Sequence, residues 1–148
     1  MTSTSPTRIL RAAPYFLVPD VAAAGTYYRE VLGFKCEYAA GEPPEFAIYS
    51  RSGSPVMFRR ASDPGLISPN EKQGGTWDVF CWVEALDPLV EELTQRGATF
   101  VYPPVVQPYG MREFAVRDPS GYVLGFGEEW PVRRAAPGAQ PADAGGGS

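Results

Sequence analysis

The chain has 148 residues, 44% hydrophobic and 20% charged, with a net charge of −4. That is enough for one domain, or two fused half-domains, and too acidic for a nucleic-acid partner, which calls for a basic face. Histidine is absent, and with it go Ser-His and Cys-His nucleophiles and any His-anchored zinc or iron site.

In chain order, residues 1–8 are Ser/Thr/Pro-rich and read as a disordered arm. A first module is expected over residues 9–60. It opens with an apolar run at 12–18, followed by Asp20, a good N-cap, and an Ala/Tyr-rich helix running through Leu32 to Gly33. One of Tyr27 and Tyr28 is expected in the core and the other at the surface. Strands are predicted around residues 34–38, 45–49 and 55–59. Residues 61–75, with Pro64, Gly65, Pro69 and the Gly74-Gly75 pair, read as a linker.

A second module is expected over 76–130 in the same order. A β-branched and aromatic run spans 79–83. Leu86, Asp87 and Pro88 open a helix whose Leu89, Val90 and Leu93 share one face, and Gly97 ends it. Strands are predicted near 99–106, 112–116 and 122–126. Residues 131–148, rich in Ala, Pro and Gly, read as a second disordered segment. Val18 and Val83, like Gly33 and Gly97, are offset by about 65 residues, which marks two copies of one β-α-β-β-β unit. The expectation is an α+β fold: two βαβββ modules forming an eight-strand, cup-shaped sheet with the helices on its outer face.

No apolar run reaches membrane-spanning length and no signal peptide is visible, so no membrane partner and a cytoplasmic location are expected. Cys36 and Cys81 lack any short ligand spacing and read chiefly as two small buried apolar side chains, with a disulfide or a reactive thiol as alternatives.

Several segments carry a family resemblance. They are Val18-Pro19-Asp20 leading to Tyr27-Tyr28-Arg29-Glu30-Val31-Leu32-Gly33-Phe34, then Glu92-Leu93-Thr94-Gln95-Arg96-Gly97-Ala98, then Arg117-Asp118-Pro119-Ser120-Gly121-Tyr122. With them the chain resembles the glyoxalase / bleomycin-resistance / extradiol-dioxygenase superfamily over nearly all of residues 12–129. In the last segment Asp118-Pro119 initiates a tight turn and Gly121 supplies a positive φ. The family's metal enzymes take ligands from fixed strand positions, and these fall here at Ala13, Met57, Asp78 and Gly125. Of the four, only Asp78 suits a hard cation, whereas a catalytic site needs about three protein ligands. The resemblance with this departure implies no cofactor and no metal.

The second half, through residues 82–87 and 107–119, looks most like the bleomycin-resistance type, which sequesters a drug and performs no chemistry. Tyr109 stands where drug-binding relatives carry a stacking Trp, and Met111 is one extra residue before Arg112. If the old ligand positions face inward, strand alternation adds Tyr15, Met57, Arg59, Asp78, Phe80 and Trp82 to the lining. Tyr109 joins them from an exposed loop, and for Phe80 and Trp82 plain core packing is an equal alternative. Asp78 is either a structural cap or a rim acid able to pair with a ligand amine. Adjacent strand residues point to opposite faces, so Arg112 and Glu113 separate, and one of them is expected in a structural ion pair.

The function expected is metal-independent capture of a planar or cationic aromatic molecule in an aromatic-lined cup, by a homodimer. The small molecule would bind through Tyr15, Met57, Arg59, Asp78, Phe80, Trp82, Tyr109 and Glu113. The alternative is a metal-free isomerase or lyase of the same fold using Asp78 or Glu113 as acid/base.

Overall fold

The structure, a computed structural model, describes residues 5–131. Of the segments expected to be disordered, 1–8 and 131–148, residues 1–4 and 132–148 fall outside that range, while 5–8 and 131 belong to no helix or strand. The first module comprises β1 (Tyr15–Val18), α1 (Val21–Glu30), β2 (Lys35–Ala40), β3 (Phe46–Arg51) and β4 (Ser54–Arg60). The second comprises β5 (Val79–Trp82), α2 (Leu86–Gln95), β6 (Thr99–Gln107), β7 (Met111–Arg117) and β8 (Val123–Glu129). The strands form two four-stranded sheets of matching order, β1-β4-β3-β2 and β5-β8-β7-β6. In each, the first pair is parallel and the others antiparallel. This is the predicted α+β arrangement of two βαβββ units. Tyr15 lies opposite Met57 and Phe80 opposite Gly125, so these are equivalent positions in the two copies.

Local chemistry sets the element ends. The Asp20 carboxylate caps α1 by accepting the Ala23 N–H at 3.0 Å. α2 lacks a side-chain cap at Ala85; Glu128 of β8 takes over, accepting the Leu86 N–H at 2.8 Å. Gly33 and Gly97 leave the helices at φ 75° and 86°, a region that a Cβ disfavours. Two short 3-10 turns, Pro64–Leu66 and Asn70–Gln73, lie between the modules.

Each sheet buries its helix-bearing face, and the two faces share one core. Tyr28 of α1 is fully buried and meets Phe34 and Phe58 edge-on at 5.5 and 4.7 Å. Its hydroxyl crosses to the second module, donating to Asp118 Oδ2 at 2.7 Å. Asp118 Oδ1 also accepts the Ser120 and Tyr122 N–H groups. The signature turn thus ties the modules together as well as reversing the chain. Burial raises the Asp118 pKa, while the Tyr28 and backbone hydrogen bonds oppose that shift. Phe16 stacks on Tyr122 at 4.2 Å, and the Tyr122 hydroxyl donates to the Leu17 carbonyl at 2.7 Å. At the other end Arg51 donates twice to Glu92 at 2.8 Å and once to the Leu32 carbonyl.

Both cysteines are free. Cys81 is partly buried, and burial pushes its thiol up to about 11. Cys36 is exposed, against the expectation of two buried thiols, because β2 is an edge strand with almost every residue exposed. No described helix is long and apolar enough to cross a membrane.

Candidate functional site

The sheet faces turned away from the shared core carry the predicted lining. On the first sheet Tyr15 is 54% exposed, and its hydroxyl accepts a hydrogen bond from Arg59 Nε at 3.2 Å. Met57 sits beside Tyr15 across the parallel pair. The Arg59 guanidinium lies over the Phe46 ring at 5.2 Å, a cation–π contact that Tyr15 borders at 6.3 Å. Arg59 has no carboxylate partner among the described residues.

On the second sheet the face is built from rings laid over glycine. A Cβ on Gly125 would stand 2.5 Å from Trp77 Cδ1 and 2.8 Å from Phe80 Cδ1. One on Gly127 would stand 2.5 Å from Phe80 Cζ and 2.7 Å from Met111 Cε. Two strand glycines at period two are what let these side chains lie on the sheet. Trp77, Phe80 and Trp82 follow one another with centroids 4.6 and 5.1 Å apart.

Further along this face sits Glu113, 1% exposed. Tyr102 Oη donates to its Oε2 at 2.7 Å, Tyr109 Oη to its Oε1 at 2.5 Å, and Trp77 Nε1–H to Tyr102 Oη at 2.8 Å. Burial first, then the hydrogen bond and charge of Glu113, raise the Tyr109 pKa to about 12. Burial chiefly raises that of Tyr102, with Glu113 adding to it and Trp77 opposing. Both phenols therefore keep their protons at neutral pH. Arg112, on the opposite face, makes the expected ion pair, with Asp87 at 2.7 Å, and Glu113 makes none among the described residues.

Asp78 is committed to the fold. Its Oδ1 accepts the Asn70 N–H and its Oδ2 the Val123 N–H, both at 2.8 Å, so it staples the inter-module segment to the start of β8. Of its two sequence-level readings, the geometry is that of the structural cap. Three described cavities divide the predicted residues. Tyr15 and Asp78 line one of about 570 Å³, Tyr109 and Glu113 one of about 510 Å³, and Trp82 one of about 460 Å³ between the modules. None holds the Tyr15, Met57 and Arg59 group together with the Phe80, Tyr109 and Glu113 group.

A family model for the Glyoxalase/Bleomycin resistance protein/Dioxygenase superfamily matches residues 8–126. The chain belongs to that superfamily. Among solved structures, TioX from Micromonospora sp. ML1 is 26% identical, with a TM-score of 0.65, over 80% of this chain and 98% of its own. The bleomycin-binding protein of Streptomyces verticillus, solved with copper(II)-bleomycin, is 26% identical, with a TM-score of 0.59, over 82% and 97%. A glyoxalase-related enzyme from Clostridium phytofermentans, at 16% identity and a TM-score of 0.67 over 83% and 97%, shares the fold. No curated protein sequence matches the chain significantly.

The superfamily's metal enzymes supply a standard against which this site can be measured. The residues here do not make a donor set: Ala13 and Gly125 have no donor atom, Met57 offers only a thioether, and Asp78 is engaged with backbone. Among the described residues no group of three His, Cys, Asp or Glu is placed to hold a metal ion. Trp77 and Phe80 instead cover Gly125. Sequence reasoning missed Trp77 and Tyr102. The readable signal for Trp77 was the Gly125–Gly127 pair, which demands something large nearby; Tyr102 had none, since its partner is eleven residues away in another strand.

Proposed function

We propose that this superfamily member is a small-molecule binding protein that sequesters a planar or cationic aromatic ligand and performs no chemistry on it. The observation that carries the reading is the replacement of donor positions by a ring-covered floor, with Trp77 and Phe80 over Gly125. Open rings nearby, with Trp82 71% and Tyr109 60% exposed, offer stacking surface worth about 0.5–1.5 kcal/mol per ring pair beyond area burial. The Streptomyces verticillus relative, solved with copper(II)-bleomycin, supports a drug-capturing, resistance-type role.

The active form in this reading is a cytoplasmic homodimer. Each chain leaves Tyr15 of the first sheet and Trp82 of the second exposed, and a second copy can cover them. Exposed apolar faces of this kind mark interaction surfaces. A titration followed by Trp fluorescence and thermal shift, with a panel of planar aromatics, tests the capture. Saturable binding that raises Tm without converting the ligand is expected, at about 2.7 kcal/mol of stabilisation for a hundredfold excess over Kd. Catalytic turnover of any bound compound would sink the reading in favour of acid/base chemistry at Glu113. A monomer in sedimentation at micromolar concentration would remove the dimer.

A further inference from the structure

Glu113 is a buried carboxylate whose two oxygens each receive a phenolic proton and whose charge meets no Lys or Arg among the described residues. Such a charge is costly in a poorly solvated interior unless a cation compensates it. The surrounding groups fix what can approach. Tyr102 and Tyr109 send their hydroxyl protons inward to the carboxylate, and the Trp77 N–H goes to Tyr102. All three line the 510 Å³ cavity, and with these donors committed what they have left to offer is π surface and phenol oxygen lone pairs. The cavity lining also includes Pro103 and Pro104, which lack backbone N–H groups, and the polar Thr76 and Gln107. The cluster around Glu113 thus offers acceptors with its own side-chain donors already committed, and it is backed by a negative charge; the side-chain donors left in the cavity lining are those of Thr76 and Gln107.

We propose that the Trp77, Tyr102, Tyr109 and Glu113 cluster is a cation subsite, taking the protonated amine or amidine of an aromatic ligand. This deepens the capture reading above and rests on it. An ammonium meets two phenol oxygens polarised by donation to a carboxylate, and the rings add cation–π attraction that strengthens on desolvation. An anionic ligand finds no uncommitted donor within the cluster and is repelled by Glu113. The committed group is therefore Glu113 rather than Asp78, whose oxygens serve the backbone.

The experiment compares three probes with one ring system, naphthylmethylammonium, naphthylmethanol and naphthoate, by isothermal titration into the full chain and into Glu113→Gln. In the native protein the ammonium should bind roughly tenfold or more tighter than the alcohol, with naphthoate weakest, the scale expected of one charge-assisted contact. In folded Glu113→Gln the three affinities should converge to within about threefold, through loss at the ammonium and gain at naphthoate. Equal binding of ammonium and alcohol to the native chain overturns the cation subsite while leaving capture standing. So does a preference that survives in Glu113→Gln. Failure of all three probes to bind overturns both. The native ranking needs no variant, so it decides the matter even where Glu113→Gln does not fold.

Discussion

The two modules share an order of elements and a register, yet they place their glycines on different elements. In the first, the glycine crowded by an aromatic side chain is in the helix: a Cβ on Gly25 of α1 would stand 2.3 Å from the Tyr49 hydroxyl and 2.6 Å from its Cζ. In the second, the crowded glycines are Gly125 and Gly127 of β8, under Trp77 and Phe80. One copy therefore makes room for a ring in the core, and the other on the face that looks outward. The polar groups diverge at matched positions too. Phe46 pairs with Arg59 in the first sheet, and Glu113 with Gly127 in the second. Where one copy lays a guanidinium on a ring, the other buries a carboxylate beside a glycine. The two copies keep one topology and differ in the chemistry of their outward faces.

Four experiments sharpen or break this contrast. Phe58→Ala and Phe126→Ala remove equivalent core rings from the two modules, and each should cost about 3–5 kcal/mol. Because the core is shared, calorimetry should still give a single unfolding transition; two resolved transitions would separate the modules. Next, Gly25→Leu and Gly125→Leu should each cost roughly 2–3 kcal/mol by overpacking, seen as a lower Tm. Only Gly125→Leu should abolish binding of a naphthyl probe. Loss of binding in Gly25→Leu would mean that the inner and outer faces are not independent.

The inter-module ion pair comes third. The Arg51 hydrogen bonds hold the Glu92 pKa below its ordinary 4.5, with burial opposing and the Arg51 and Arg96 charges helping. A depressed carboxylate stabilises the fold fully above its unfolded value, and that share is lost as pH falls through the lower folded value. The native chain should therefore lose Tm below about pH 4.5 more steeply than Glu92→Gln. At neutral pH that variant should be less stable by about 1 kcal/mol, and parallel acid curves would argue against the pair. Smallest of all, Tyr15→Ala and Trp82→Ala should change stability by no more than about 0.5 kcal/mol. They are, however, expected to weaken self-association in sedimentation. A larger drop in Tm would mean that the outward rings already serve the monomer's packing.

Much of the fold was legible from particular residues. Asp20 capped its helix as expected, Gly33 and Gly97 ended theirs at positive φ, and the Asp118 turn formed with Gly121 at φ 94°. These are contacts within a few residues, fixed by backbone sterics and local hydrogen bonds. Of the tyrosine pair, Tyr28 entered the core, whereas Tyr27 is half-buried and packs against that core instead of standing at the surface. The candidate site was less legible. Alternation placed Tyr15, Met57 and Arg59 on one sheet face, and separated Arg112 from Glu113. It gave no sign that Asp78 would spend its carboxylate on Asn70 and Val123, the latter 45 residues away.

By itself, then, the sequence determined the repeat, the element order, the caps and the residues that share a face, because periodicity and turn chemistry act over one to four residues. Only the tertiary structure decided which faces meet. It joined the helix-bearing faces through Phe16, Tyr28, Asp118 and Tyr122, left both aromatic faces outward, and set two tyrosines on Glu113. Those outcomes depend on packing and hydrogen bonds between segments far apart in the chain, where a residue's own neighbours carry no record of its partner.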